Sequence, residues 1–186
     1  MLFYIFVFLL LVQRVVELMI AKRNECCMKQ RGAIEFGQAH YPFIVAVHSL
    51  FFVSLVVEVA LLQKHLSPYW PTFLTFFIVA QFVRVWALTS LGIFWNTKII
   101  VLPKADLVKK GPYQYVKHPN YIIVTIEIIV IPLLFQAYIT AIIFTILNAV
   151  ILRIRIPAEE RALKSVTNYK ETFAKGSSPI NNVKKV

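Results

Sequence analysis

Residues 121–152 read YIIVTIEIIVIPLLFQAYITAIIFTILNAVIL, a stretch of 32 residues in which Glu127 is the one charged side chain. A single helix of this length would extend about 48 Å, well beyond the ~30 Å apolar core of a bilayer. A weak break from Pro132 to Tyr138 divides the stretch in two. The sequence therefore predicts a short hairpin of two membrane-inserted helices, each of about 15 residues.

Three apolar runs precede this hairpin, at about 2–21, 42–62 and 69–93. Each has about 20 residues or more, which is enough to cross the bilayer core. We place Arg14 and Glu17 near the inner end of the first run. The chain is 59% hydrophobic and 16% charged, whereas soluble proteins average about 25% charged residues. We predict an all-α integral membrane protein with about five transmembrane helices, followed by a cytoplasmic amphipathic segment.

Basic residues concentrate in alternate connections between these helices. Of the 20 Lys and Arg residues, 17 lie in segments 21–41, 94–120 and 153–186, whereas the connection 63–68 holds Lys64 alone. The positive-inside rule then predicts an outside N-terminus and a cytoplasmic C-terminus. The net charge of +11 is thereby explained by orientation and by contact with anionic membrane lipids. Nucleic acid is not an expected partner.

Several common kinds of site are not indicated. Cys26 and Cys27 are adjacent and belong to no Cys/His cluster, so neither a disulfide framework nor a metal site is predicted. No G-x-G-x-x-G motif occurs, which disfavours a soluble enzyme with a Rossmann-type nucleotide site.

Five polar residues lie inside the predicted spans: His48, Glu58, Arg84, Glu127 and Asn148. Such residues are costly in lipid, so each either lines a site or joins two helices through a polar contact. Glu127 and Asn148 are predicted to lie at similar depth across the hairpin. Both interpretations stay open for this pair.

The loop before the hairpin reads GPYQYVKHPNY at residues 111–121. Gly111-Pro112 favours a turn, and Pro119 suits the first turn of a helix. His118 is therefore predicted at a helix N-terminus, where free backbone amides and the helix dipole attract anions.

The hairpin runs into RIRIPAEER at residues 153–161. Arg153 and Arg155 are followed by Glu159 and Glu160, so two guanidinium and two carboxylate groups lie where the chain returns to the cytoplasm. A snorkelling cationic helix end followed by a capped amphipathic helix explains this pattern, and so does a polar site.

The order GPYxYxxHPxY, apolar hairpin and RxRxxxEE resembles the isoprenylcysteine carboxyl methyltransferase family of membrane enzymes over residues 95–165. Lys117 stands where that family usually has Arg, which keeps the charge but not the forked geometry. The stretches RGAIEFGQAHYP (31–42) and LGIFWNTKIIVLP (91–103) resemble a bacterial branch that includes alkylpyrone and alkylresorcinol O-methyltransferases.

The resemblance implies S-adenosylmethionine as cofactor, and the family's cofactor-binding His, Tyr and Glu correspond to His118, Tyr121 and Glu160. The helix start suits the cofactor's carboxylate, and Glu159 or Glu160 suits its ammonium group or ribose hydroxyls. The further residues expected around the cofactor are Tyr113, Lys98 and Leu102. The resemblance also divides the chain into three helices (1–93), a cofactor-binding unit (94–175) and a frayed tail (176–186).

Arg153, Arg155 and Glu127 are the candidate catalytic residues, with one arginine steering an anionic acceptor oxygen toward the methyl group. The expected acceptor is lipid-like and enters from the bilayer. A long-chain alkylpyrone or alkylresorcinol hydroxyl is favoured over the carboxyl group of a prenylated cysteine. Two alternatives of other classes are a membrane reductase that uses NADPH and a non-enzymatic transporter or scaffold.

Overall fold

The computed structural model describes residues 1–103, 105–106 and 108–166. These residues form five α-helices and one two-stranded sheet. The elements in chain order are α1 (Leu2–Gln30), β1 (Ile34–Phe36), α2 (Tyr41–Leu61), α3 (Trp70–Leu91), β2 (Ile99–Val101), α4 (Pro119–Leu134) and α5 (Tyr138–Val166). Short 3-10 turns lie at 38–40, 92–94 and 111–114. The predicted tail at 176–186 and the end of the unit 94–175 lie outside the described residues.

The chain is a mostly helical integral membrane protein, as the sequence predicts. Within the described residues, α1, α2, α3 and α5 are long and apolar enough to cross a membrane. The first hairpin helix, α4, has 16 residues, a length of about 24 Å that is shorter than the ~30 Å bilayer core.

Three sequence predictions need correction. The first helix continues to Gln30, so Arg14 and Glu17 lie near its middle and not near its inner end. The amphipathic segment after the hairpin is no separate element, because α5 continues without interruption from Tyr138 to Val166, through Pro157. The fold is also not purely α-helical, since β1 and β2 pair antiparallel with Ile34 opposite Val101.

The turn of the hairpin is fixed by polar contacts from α2. Gln136 in this turn has a positive φ of 57°. The Glu58 carboxylate accepts hydrogen bonds from the backbone amides of Ile139 (3.1 Å) and Thr140 (2.7 Å). A carboxylate at a helix N-terminus satisfies free amides and offsets the positive end of the helix dipole. Glu58 therefore caps α5.

The elements define two opposite ends of the helix bundle. At the first, here called the tip end, the Ser67 amide donates to the Leu134 carbonyl (2.9 Å), and Phe3 of α1 stacks edge-on against Phe135. At the second, called the basic end, the sheet, the described residues of the segment 92–118 and the last turns of α5 lie together. Asn24 of α1 donates to the Trp95 carbonyl there (2.7 Å).

A buried cluster of four charged side chains joins three helices midway between these ends. Arg14 of α1 contacts Glu17 (2.7 Å) and Glu127 of α4 (2.6 Å). Arg84 of α3 contacts the same two carboxylates, at 3.0 Å to Glu17 and in a shorter contact to Glu127. Two positive and two negative groups leave the cluster neutral, which removes the main cost of charge in an apolar medium.

Two glutamines complete this cluster. Gln81 donates to Glu127 (2.6 Å), while Gln13 donates to Glu17 (2.9 Å) and to Gln81 (2.7 Å). The carboxylate oxygens are thereby saturated with donors, which is the condition under which a buried ion pair is stable.

The first prediction concerns this cluster. Replacing Arg84 by Met leaves two carboxylates against one guanidinium, so the purified protein should lose about 3–5 kcal/mol of stability. The measurement is thermal unfolding in detergent. Arg23→Met changes an exposed arginine of α1 and should shift the free energy of unfolding by no more than ~0.5 kcal/mol. Equal effects of the two substitutions would contradict the stabilising role of the cluster.

Candidate active site

One cavity of about 1100 Å³ runs from the basic end toward the middle of the helix bundle. All five helices contribute to its wall, together with β2 and the loops at 94–98 and 108–118. Its volume exceeds the ~300–1,000 Å³ that is usual for a small-molecule pocket. The cavity therefore has room for two ligands at once.

The start of α4 forms the polar wall of the cavity at the basic end. His118 is the N-cap residue of α4, and Pro119 occupies the first helical position. The His118 ring stacks on Tyr121, with 5.4 Å between ring centroids. The phenol of Tyr121 donates to the Glu159 carboxylate in a short hydrogen bond. The structure thus brings these three predicted residues together across α4 and α5.

The two glutamates differ in their position. Glu159 lines the cavity, and its carboxylate lies 3.9 Å from His118 Nδ1. Glu160 lies behind the histidine, 3.5 Å from His118 Nε2 and 3.6 Å from Lys164. Glu159 can therefore contact a ligand directly, whereas Glu160 acts on the orientation of His118.

Tyr113 lines the same end and is held by Asn120, whose amide donates to the phenol oxygen (3.1 Å). Burial raises the pKa of Tyr113 well above its ordinary value, so this side chain presents a neutral phenol. The 3-10 turn that carries Tyr113 begins at Gly111, whose φ is +61° and whose lack of a side chain lets the turn pack closely against α3.

β2 supplies the opposite wall of this end. Ile99 and Ile100 are buried and line the cavity, as does Leu102 just beyond the strand. Lys98 also lines the cavity, and its amine contacts Glu25 (2.9 Å) and Glu35 (3.4 Å). The hydrogen bond to Glu25 raises the pKa of Lys98, so the Lys98 amine is protonated and positively charged at neutral pH.

The two candidate arginines of α5 occupy different environments. Arg155 is buried and lines the cavity, where Nε donates to the Tyr121 phenol (3.0 Å) and Nη2 donates to the Thr97 carbonyl. Arg153 is exposed and does not line the cavity. The structure brings Arg155 to the site but leaves Arg153 outside it.

Glu127 and Asn148 both line the deeper part of the cavity. Asn148 donates to Thr125 of α4 (3.0 Å), whereas Glu127 is bound by Arg14, Arg84 and Gln81. The two interpretations made from the sequence are therefore compatible, since each residue joins helices and also faces the cavity.

The parts of the cavity wall that α1 and α2 supply include exposed apolar side chains. They are Leu11, Val15, Leu18, Val45, Val53 and Val57. Exposed apolar side chains on membrane-crossing helices are suited to contact with lipid.

Sequence analysis missed several residues of this cavity. Trp95 is buried and lines it, and its indole Nε1 has no hydrogen-bond partner among the described residues. Arg14 and Glu17 were placed too close to a helix end. A polar group in the middle of a long apolar helix was the available signal for these two, but it identifies no partner on other helices.

The described residues thus form an integral membrane protein in which five helices enclose one cavity with a charged end, and four of these helices are long and apolar enough to cross a membrane. Residues 73–165 match the isoprenylcysteine carboxyl methyltransferase family. An uncharacterized protein of Bacillus subtilis, YpbQ, is 51% identical over 87% of this chain and 96% of its own length. An uncharacterized protein of Haemophilus influenzae is 28% identical, over 81% of this chain and 88% of its own. No solved structure matches.

The chain belongs to the isoprenylcysteine carboxyl methyltransferase family. The matched residues contain α4, α5 and the loop that carries His118, which are the elements that form the polar end of the cavity. Family membership identifies the protein as a membrane methyltransferase.

The second prediction concerns the seating of the 111–118 loop. A Cβ atom at Gly111 would lie 2.0 Å from Ser90 Oγ and 2.9 Å from Trp86 Nε1, so Gly111→Ala should displace the loop from α3. It should then weaken binding of S-adenosylhomocysteine, the product form of the methyl donor that methyltransferases usually use, at least tenfold. Calorimetric titration measures this. Gly32→Ala is the matched control, because Gly32 also has a positive φ but meets no atom within 4 Å. Comparable weakening in both variants would show that backbone strain, not loop seating, is responsible.

Proposed function

We propose that this protein binds S-adenosylmethionine at the basic end of the cavity and methylates an oxygen atom of a lipophilic acceptor that enters from the bilayer. The observation that carries this proposal is that one cavity is lined both by the charged groups of the basic end and by exposed apolar side chains of α1 and α2. Two ligands of opposite polarity can meet in such a space without either crossing an unfavourable medium.

The side chains at the basic end suit each chemical group of S-adenosylmethionine in turn. Its carboxylate suits the free amides at the start of α4 and the Lys98 amine. Its ammonium group or ribose hydroxyls suit the Glu159 carboxylate, and its adenine ring suits the apolar surface of Ile99 and Leu102 beside Tyr113. The unpartnered indole N–H of Trp95 requires an acceptor atom that a bound ligand would supply. When bound, this donor supplies an electrophilic methyl group.

Arg155 is the residue of the chain best placed to orient the acceptor oxygen. Two of its nitrogens are held by Tyr121 and Thr97, which fixes the guanidinium plane. A fixed donor positions an acceptor oxygen at little entropic cost. Since Arg153 lies outside the cavity, we give the steering role to Arg155.

For the acceptor we propose the hydroxyl group of a long-chain alkylpyrone or alkylresorcinol. The exposed apolar side chains of α1 and α2 suit an alkyl chain that stays in the lipid while its ring enters the cavity. Such an acceptor needs no protein partner. Carboxyl methylation of a prenylated cysteine, from which the family takes its name, is the alternative for an experiment to exclude.

We further propose that the basic end faces the cytoplasm of a bacterial cell, with the N-terminus outside. The positive-inside rule supports this orientation, because Lys22, Arg23, Lys29 and Arg31 at the end of α1 and the described lysines of the segment 92–118 lie at that end. The donor would then bind from the cytoplasm.

The third prediction tests the donor site. Purified protein should bind S-adenosylhomocysteine saturably in calorimetric titration. His118→Ala and Glu159→Ala should each weaken this binding at least tenfold, because each substitution removes a polar side chain from the wall of the proposed donor site. Glu160→Ala should weaken it less, since Glu160 acts through His118.

Arg153→Ala is the control for that titration and should bind like the unmodified protein, because Arg153 is exposed outside the cavity. Absence of saturable binding to folded protein would overturn the proposed function. Unchanged binding in both His118→Ala and Glu159→Ala would overturn the site assignment alone.

The fourth prediction tests the acceptor. Membranes that contain the protein are incubated with labelled S-adenosylmethionine and a panel of alkylpyrone, alkylresorcinol and prenylcysteine acceptors, and the products are identified by mass spectrometry. We expect label on the pyrone or resorcinol oxygen. Label on prenylcysteine alone would overturn the proposed acceptor and leave the methyltransferase assignment intact.

A further inference from the structure

His48 of α2 lines the deep part of the cavity. Its Nδ1 atom lies 2.8 Å from the Ile44 carbonyl oxygen. A carbonyl oxygen can accept a hydrogen bond but cannot donate one, so Nδ1 carries the proton of the neutral ring. Nε2 is then the unprotonated nitrogen, and the hydrogen bond of Nδ1 is the only one that the His48 ring makes with the described residues. The ring therefore offers a fixed proton acceptor inside the cavity.

Helix geometry places His48 at the depth where a ring from the bilayer would meet the polar groups. Tyr41 of α2 and Arg155 of α5 are both bonded to Thr97, so they mark one level at the basic end. His48 follows Tyr41 by seven residues and Asn148 precedes Arg155 by seven, which is about 10 Å along each helix. The backbones of His48 and Asn148 therefore lie at a similar depth, two helical turns below that of Arg155, and the charge of the long Arg155 side chain still acts on the His48 ring.

The carboxylates in the deep part of the cavity wall are already occupied. Glu17 accepts hydrogen bonds from Arg14, Arg84 and Gln13, and Glu127 accepts them from Arg14, Arg84 and Gln81. The Asp106 carboxylate also lines the cavity, but it is exposed beyond β2 at the basic end. Glu159 accepts from Tyr121, and His118 lies between Glu159 and Glu160. The charged groups that act on His48 are Arg14 of α1, Glu127 of α4 and Arg155 of α5.

The route of the acceptor creates the need for a base. A hydroxyl compound that enters from lipid arrives protonated, because an ion is costly in the bilayer core. An oxygen that keeps its proton is a weak nucleophile, and methylation of a hydroxyl releases that proton in every case. A carboxylate acceptor, in contrast, has no proton to lose.

We infer that His48 is the catalytic base that activates a hydroxyl acceptor through Nε2, an inference that rests on the proposed function. The acceptor O–H bond breaks and its proton moves to His48 Nε2. The acceptor oxygen forms a bond to the methyl carbon as the carbon–sulfur bond breaks, and that electron pair remains on the sulfur of the donor. The positive charge of the sulfonium is thus replaced by the positive charge of the imidazolium, which releases its proton to water between turnovers.

The test compares two acceptors with the same alkyl chain but different acidity, an alkylresorcinol and a far more acidic 4-hydroxy-6-alkyl-2-pyrone. His48→Gln should lower kcat for the resorcinol about 10²-fold or more, the usual contribution of a general base. The pyrone should lose less than tenfold, since its enol ionises without help. The KM values and the affinity for S-adenosylhomocysteine should stay within twofold of the unmodified protein.

Two further variants make the result specific. His65→Gln is the matched control, because His65 lies exposed at the tip end, and it should leave both rates unchanged. His48→Ala should recover part of its resorcinol activity when imidazole is added, since a free base can occupy the space of the lost ring.

The outcomes separate the two proposals. Equal losses with both acceptors and no rescue by imidazole would overturn a base role for His48 and indicate a structural one. Unchanged turnover of the resorcinol by His48→Gln would also overturn it while leaving the proposed function standing. If the unmodified protein methylates prenylcysteine carboxylate alone, the proposed acceptor is wrong, and the His48 step falls with it.

Discussion

The neutral cluster of Arg14, Glu17, Arg84 and Glu127 is the interaction on which the arrangement of α1, α3 and α4 depends. In a membrane the hydrophobic effect does not drive helices together, because lipid is as apolar as the side chains. Polar and ionic contacts must supply specificity instead. Each of the four charges would be very costly alone in lipid, so the helices that carry them are held at one rotation and one depth.

This cluster also shapes the cavity. It lies at the boundary between the polar end and the apolar part, where Arg14, Glu17, Arg84 and Glu127 all face the enclosed space. The hydrogen bonds between their guanidinium and carboxylate groups make them a rigid wall. His48, which is not part of the cluster, keeps a free nitrogen at about the same depth. The carboxylates of Glu17 and Glu127 are held by hydrogen bonds, which indicates a structural role. The His48 ring keeps a nitrogen without such a bond, which suits a chemical role.

The basic end is organised by a different principle. Asn24, Asn96 and Arg155 bind backbone carbonyls of α1 and of the segment 92–97, so an irregular loop is held by side chains of the helices around it. The short sheet between β1 and β2 closes the same region. Irregular backbone at the edge of a membrane is stable where its polar groups are satisfied in this way. The residues of the proposed donor site are thereby placed on a rigid support.

The sequence alone determined the membrane character, the hairpin and the start of α4 at His118, because these depend on local hydrophobic length and on the fixed φ of proline. It also determined the family through the order of motifs from Gly111 to Glu160. Only the tertiary structure decided that Arg155 and not Arg153 reaches the cavity, and that Glu127 pairs with Arg14 and Arg84. It also decided that exposed apolar side chains of α1 and α2 line the same cavity as the charged groups of the basic end. These features depend on which residues of distant segments meet, and such contacts are set by helix rotation and packing, which no local pattern of residues specifies.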